Sequence, residues 1–307
     1  MNEILITTSN FDSELINHIE NSGFQVILNP YKRKLTEMEV TELIEKYQPV
    51  GMIAGVEPLT RDVFKITKNL KVISRCGIGL DSVDLDAARD FGIAVTNTPD
   101  APTIPVAELT LGMILTLLRR IHISDMGIRN DSWERPMGTL IHGKVIGIIG
   151  CGRIGSYLAK IMSVFGCRVL GYDLLSAKNG YLTYVPLDQL LSESDIVTLH
   201  IPYSKESHHF INNERLSRMK EGAVVVNSAR GGLIDEDALY KVLKSGHIGG
   251  AALDCFETEP YNGPLKELDN VLLTAHIGSY AREGRIIMER QSVENLLCEL
   301  KKLEVIK

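Results

Sequence analysis

The sequence predicts an α/β protein built from two doubly wound parallel-sheet domains, and two observations carry that expectation. Short apolar runs alternate with amphipathic segments from end to end, the pattern of parallel strands joined by helical crossovers. The chain has 307 residues, 44% hydrophobic and 23% charged, which is length for about two domains and a composition that excludes disorder, collagen and coiled coil.

The expected strands of the first series are Ile4 to Thr7, Gln25 to Leu28, Gly51 to Ala54, Val72 to Arg75 and Ala94 to Thr96. Helices fill the intervals. The one covering Thr36 to Tyr47 opens with Thr36 and Glu39, a capping box in which each side chain satisfies a backbone donor of the first turn. Pro99, Pro102 and Pro105 then interrupt the rhythm, and a long helix from about Val106 to Arg120 follows. We place a domain crossing there. A second series has expected strands at Val145 to Gly150, Arg168 to Tyr172, Ile196 to Leu199, Val224 to Asn227, Gly250 to Leu253 and Val271 to Thr274, forming the larger and more hydrophobic sheet. One amphipathic helix, Glu283 to Lys302, remains with no strand after it, so it is expected to cross back onto the first domain. The expected organisation is a discontinuous first domain, residues 1–98 and 283–307, with residues 99–282 inserted as the second.

Charge and composition narrow the function. With 33 basic and 39 acidic side chains, the formal charge of −6 gives no general grip on a phosphate backbone, so nucleic acid is not an expected partner. The longest apolar stretch, Leu109 to Leu118, is stopped by Arg119 and Arg120 before it is long enough to span a membrane. Met1-Asn2-Glu3 shows no basic segment ahead of an apolar one, hence no secretion signal is expected. Cys76, Cys151, Cys167, Cys255 and Cys298 form no C-x-x-C pair, so we expect reduced thiols in a cytoplasmic protein and no metal.

Val145 to Ile149 reads as a buried strand that runs into Gly150-Cys151-Gly152-Arg153-Ile154-Gly155 and then an amphipathic helix. This is G-x-G-x-x-G in its required context. Gly150 allows the tight turn, Gly152 lets the backbone approach a pyrophosphate, and Gly155 lets the helix pack on the strand while its amino terminus faces the phosphate charge. The next strand ends at Asp173, where an acid meets adenosine ribose hydroxyls and repels a 2′-phosphate. The expected cofactor is NAD, held by a Rossmann domain.

Three segments bring polar residues to the carboxyl ends of later strands: Asn227 to Glu236 around Arg230, Leu253 to Pro260 around Glu259, and Thr274 to Ser279 around His276. Together they supply an anion clamp, a carboxylate and an imidazole, the groups needed to reduce an α-keto acid. With the first-domain segment Ser74 to Leu85, the helix start at Val106-Ala107-Glu108-Leu109, and His200-Ile201-Pro202, the chain resembles the D-isomer-specific 2-hydroxyacid dehydrogenases over nearly its whole length.

The resemblance implies a flavodoxin-like substrate domain with an inserted NAD-binding domain, and Arg230, Glu259 and His276 as catalytic triad. It implies that Asp254 meets the nicotinamide carboxamide and that Val106, Arg153, Ile154, His200, Ile201, Pro202, Ser228, Ala229 and Gly278 line the cofactor. Arg75 and the backbone amides near Ile78 and Gly79 would receive the substrate carboxylate. It further implies a homodimer joined through the cofactor domain, with Trp133 near the interface.

Within the family the sequence is most similar to short phosphoglycerate dehydrogenases, through Asn29 to Thr36, Ala54 to Thr60 and Gly278-Ser279-Tyr280. D-3-phosphoglycerate, oxidised to 3-phosphohydroxypyruvate in serine biosynthesis, is the expected substrate, and no carboxyl-terminal regulatory (ACT) domain is expected after Lys307. Gly55-Val56 stands where many phosphoglycerate dehydrogenases place a substrate arginine, which keeps glyoxylate or hydroxypyruvate reduction as an alternative. An alternative of another class is an NAD(H)-sensing corepressor-like binding protein, since some relatives of that kind keep the triad.

Overall fold

In the computed structural model of the chain, residues 2–175 and 179–305 are described. They divide between Pro102 and Thr103 and again between Ser279 and Tyr280, four and three residues from the expected boundaries. The expected domain ends at Met1 and Lys307 lie outside the described residues.

The first unit holds five short parallel strands: β1 (Asn2–Ile6), β2 (Phe24–Leu28), β3 (Gly51–Ala54), β4 (Val72–Arg75) and β5 (Ala94–Thr96). Their order, β2-β1-β3-β4-β5, is that of flavodoxin-like sheets. Both faces are covered, which is why β3 and β4 are buried along their whole length. One face packs on helices Glu37–Tyr47, Arg61–Ile66 and Leu85–Asp90. The other packs on Ser13–Asn21 and the last helix, Arg282–Lys302, which returns to β3, β4 and β5 and buries Met288, Val293, Leu296 and Leu300. The Thr36–Glu39 capping box forms, with Glu39 N–H donating to Thr36 Oγ1 at 3.3 Å and Thr36 N–H to Glu39 Oε2 at 2.9 Å.

The second unit holds seven parallel strands: β6 (Val145–Ile149), β7 (Arg168–Tyr172), β8 (Thr183–Tyr184), β9 (Ile196–Leu199), β10 (Ala223–Asn227), β11 (Ile248–Leu253) and β12 (Val271–Leu273). The order β12-β11-β10-β9-β6-β7-β8 reverses at β6, which pairs with β7 on one side and β9 on the other. That reversal opens a crevice at the carboxyl end of β6, where doubly wound sheets bind ligands. Helices Thr103–Leu118 and Arg153–Val164 cover one face, and Leu187–Glu193, Asn213–Arg218 and Glu236–Lys244 the other.

Two differences from expectation have local causes. The helix expected from Val106 starts at Thr103, because Pro105 falls in the first turn, where backbone N–H groups have no intrahelical partner and proline costs nothing. It ends at Leu118, since Arg120 turns left-handed at φ +51° and caps a further helix, Ile121–Arg129, that the sequence reading did not anticipate. β8 was also unanticipated: two residues at a sheet edge leave no periodic signal.

Candidate active site

Five strands of the second unit end in residues of interest. Gly150 follows β6, His200 follows β9, Ser228 follows β10, Asp254 follows β11 and Thr274 follows β12. Parallel pairing of these strands places all five at one edge of the sheet.

The glycine loop is shaped by contacts that admit no side chain. Gly150 has φ +93°, and a Cβ there would meet the His200 carbonyl at 2.6 Å; a Cβ on Gly155 would lie 2.0 Å from the Gly150 oxygen. Gly152, the cap residue of helix Arg153–Val164, has nothing within 4 Å of its missing side chain. The helix amino terminus therefore faces open space with no side-chain cap, the arrangement that receives a phosphate. Asp173, just past β7, accepts from Cys151 N–H at 2.7 Å and Leu175 N–H at 3.0 Å, one on each carboxylate oxygen. Each oxygen keeps a further lone pair. Burial, with Asp173 nearby, pushes the Cys151 thiol up to about 12, so it stays protonated.

His200 accepts or donates with Thr198 Oγ1 through Nε2 at 3.1 Å, while its buried Nδ1 has no hydrogen-bond partner among the described residues. Burial lowers its pKa to about 4, keeping the ring neutral. Ser228 and Thr110 share a buried hydroxyl pair at 2.7 Å, and Thr110 donates back to the Val106 carbonyl at 2.7 Å. This contact ties the Ser228-Ala229 loop to the Val106 helix. Ile154 and Ile201 are half-buried, and Arg153 and Pro202 exposed.

The loop carrying Arg230 is pinned by Asn227, whose Oδ1 accepts Ala229 N–H at 3.1 Å and whose Nδ2 donates to the Arg230 carbonyl at 2.7 Å. Arg230 itself donates from Nη1 to the Ala229 carbonyl at 2.7 Å. His276 sits in a turn at φ +53°, a strained conformation for a non-glycine residue. Asp254 holds that turn. Fully buried, it accepts Thr274 Oγ1 at 2.6 Å, Ile277 N–H at 2.8 Å and Gly278 N–H at 2.8 Å. These bonds fix His276 Nδ1 at 3.0 Å from both Glu259 oxygens. Glu259 is also oriented by Phe256 N–H at 3.2 Å. An ionised carboxylate only accepts, so Nδ1 carries the proton and Nε2 is left to exchange one.

Arg75, Ile78 and Gly79 belong to the first unit. Arg75 ends β4, is buried, and donates to the Cys76 carbonyl. Glu57, which the sequence reading passed over, is buried near the end of β3 and accepts from the Thr7 hydroxyl and from Gly55 N–H at 3.1 Å. Burial raises its pKa, opposed by the Thr7 hydrogen bond and the charge of Arg75. Asn227 and Thr274 were also missed as site residues. Asn227 had a usable signal, an Asn directly after an apolar run and two residues before a turn amide.

A family profile described as "D-isomer specific 2-hydroxyacid dehydrogenase, NAD binding domain" matches residues 111–278. The chain belongs to the D-isomer specific 2-hydroxyacid dehydrogenase family. It is 39% identical over 298 residues to a hydroxypyruvate reductase of Thermotoga maritima, covering 92% of this chain and 96% of that protein. It is 40% identical over 259 residues to a D-3-phosphoglycerate dehydrogenase of Methanocaldococcus jannaschii, covering 82% of this chain but spanning about half, 49%, of that protein. The crystal structure of the TT0316 protein from Thermus thermophilus superposes with a TM-score of 0.90 at 36% identity, covering 98% of this chain and 97% of that one.

As a member of this dehydrogenase family the chain is an NAD-dependent oxidoreductase. The uncapped helix behind Gly152, the unpartnered His200 Nδ1 and the Asp173 carboxylate fit a dinucleotide. No helix of the described residues is long and apolar enough to cross a membrane. Asp173 yields a prediction. NAD should be used with clearly higher kcat/KM than NADP, and Asp173→Ala should weaken NAD and narrow the gap; equal efficiency with both cofactors in the parent chain would contradict it.

Proposed function

We propose that the chain interconverts a small 2-keto acid and its D-2-hydroxy acid, with Arg230, Glu259 and His276 as the working side chains. The observation that carries this reading is the Glu259–His276 pair, held at 3.0 Å by a turn that Asp254 anchors at the same sheet edge as the glycine loop. Bound NADH supplies the hydride. Arg230 pairs with the substrate carboxylate and polarises the keto oxygen, and His276 gives its Nε2 proton to that oxygen as negative charge develops there. Glu259 orients the ring by accepting from Nδ1. In the reverse direction neutral His276 takes the hydroxyl proton. Arg75 and the amides of Ile78 and Gly79 are assigned to the substrate carboxylate as part of the same proposal.

For the substrate itself we propose D-3-phosphoglycerate, oxidised to 3-phosphohydroxypyruvate on the way to serine; the similarity to a phosphoglycerate dehydrogenase over 82% of the chain supports it. A second reading, reduction of hydroxypyruvate or glyoxylate, is favoured by the buried Glu57 beside Gly55-Val56 and by near-complete overlap with a hydroxypyruvate reductase. NADH oxidation by the purified protein with each of the three keto acids tests both. Good turnover of 3-phosphohydroxypyruvate supports the first; its failure beside good turnover of the smaller acids supports the second. NADH binding with no turnover of any would favour a sensing role.

We further propose a cytoplasmic homodimer joined through the second unit. The five free cysteines fit a reducing compartment. Helix Ile121–Arg129 buries none of its residues, and the segment after it exposes Trp133 by 84% and Met137 by 88%. Large apolar side chains so exposed mark an interaction surface, and a second copy of the chain is the occupant the family resemblance implies. A solution mass of two chains at micromolar concentration is expected. A monomer would contradict the dimer.

A further inference from the structure

Cys255 has no part in the proton transfer proposed above, yet its sulfur lies beside the groups that do. The Cys255 sulfur, a Glu259 carboxylate oxygen and a His276 ring nitrogen all lie within 4.8 Å of one another. Cys255 and Glu259 come from the loop after β11 and His276 from the loop after β12, so cysteine spacing in the sequence gives no sign of the trio. Cys255 is buried, whereas Glu259 and His276 are partly exposed, which opens the cluster to solvent on the carboxylate and imidazole side. Sulfur, imidazole nitrogen and carboxylate oxygen are a donor set for zinc, whose catalytic sites take three protein ligands and leave a fourth position open. Zinc bonds of roughly 2.0–2.3 Å set tetrahedral donors about 3.3–3.8 Å apart, so the widest pair would close by up to about 1 Å while the Glu259–His276 pair, now at 3.0 Å, opens by a few tenths of an ångström. Magnesium and calcium prefer all-oxygen sites and would not select it.

We propose that Cys255, Glu259 and His276 form a binding site for zinc or another soft divalent ion, and that occupancy stops the dehydrogenase reaction. The inhibitory half rests on the acid–base reading of His276. Binding requires that the Cys255 thiol lose its proton to solvent and that His276 bind through an unprotonated Nδ1 as neutral imidazole with its one proton on Nε2, as metal–sulfur and metal–nitrogen bonds form; no electrons are transferred. With Nδ1 coordinated, the imidazole no longer cycles between charged and neutral forms, and Glu259 is drawn from orienting the ring to holding the ion.

The test titrates cadmium into the purified protein, reads thiolate-to-metal charge-transfer absorption in the ultraviolet, and measures zinc inhibition of NADH oxidation in parallel. A saturable band at one ion per chain is expected, lost in Cys255→Val and Cys255→Ser. Both variants should keep basal turnover and need at least tenfold more zinc for half-inhibition, and a chelator should restore the parent enzyme. No band, a band that persists in both variants, or equal zinc sensitivity would overturn the site. The absorption reads binding without turnover, so failure of the site leaves the acid–base reading standing. A His276→Gln chain with undiminished turnover would remove that reading while the absorption still decides the site.

Discussion

Replacing His276 by Gln should slow ketone reduction about 10²- to 10⁴-fold, the range of a positioned general acid, while NADH affinity stays at the parent value. Glutamine is similar in reach and keeps a hydrogen-bond partner for Glu259, so the pocket persists and only the transferable proton is lost. The effect should therefore fall on kcat rather than on cofactor binding. Steady-state kinetics with a fluorescence titration of NADH separates the two. Intact turnover with abolished NADH binding would make His276 a cofactor ligand and the triad assignment wrong.

Asp254→Ala should have the largest effect on stability. The carboxylate is fully buried and accepts Thr274 Oγ1, Ile277 N–H and Gly278 N–H. The Thr274 hydroxyl can rotate to another acceptor, whereas the two amides stay fixed in the turn. Each amide left without a partner costs about 1–3 kcal/mol, so the loss should be about 2–6 kcal/mol in a denaturant melt of the protein. The turn that holds His276 at φ +53° then loses its anchor, so turnover should fall with stability. Asp254→Asn keeps one acceptor and should recover part of both. An unchanged melt in Asp254→Ala would refute the anchoring role.

Much of this architecture was legible before the structure, and the reason is periodicity. Runs such as Ile196 to Leu199, flanked by polar loops, read directly as strands buried on both faces, and the structure buries all four residues. The Thr36–Glu39 cap was legible because its chemistry is local. What escaped depends on contacts far apart in sequence or on single backbone angles. Helix Ile121–Arg129 follows from a left-handed Arg120 that no composition rule signals. The glycine loop was readable because three residues and their spacing carry it. The hold of Asp254 on Gly278, 24 residues away, is a tertiary fact, as is the burial of Glu57 against Thr7, 50 residues apart. Cys255 looked like one of five scattered thiols because its neighbours Glu259 and His276 converge only once β11 and β12 pair.

In the proposed mechanism one residue, His276, supplies the proton in reduction and removes it in oxidation. The most direct measurement is the pH dependence of both directions in the parent chain and in His276→Gln. Reduction needs charged His276 and should fall as pH rises; oxidation needs the neutral ring and should fall as pH drops; both should turn at one common pH. His276→Gln has no ring to titrate, so its residual rate should lose both limbs together. Limbs that turn at unrelated values, or that persist in His276→Gln, would contradict the claim.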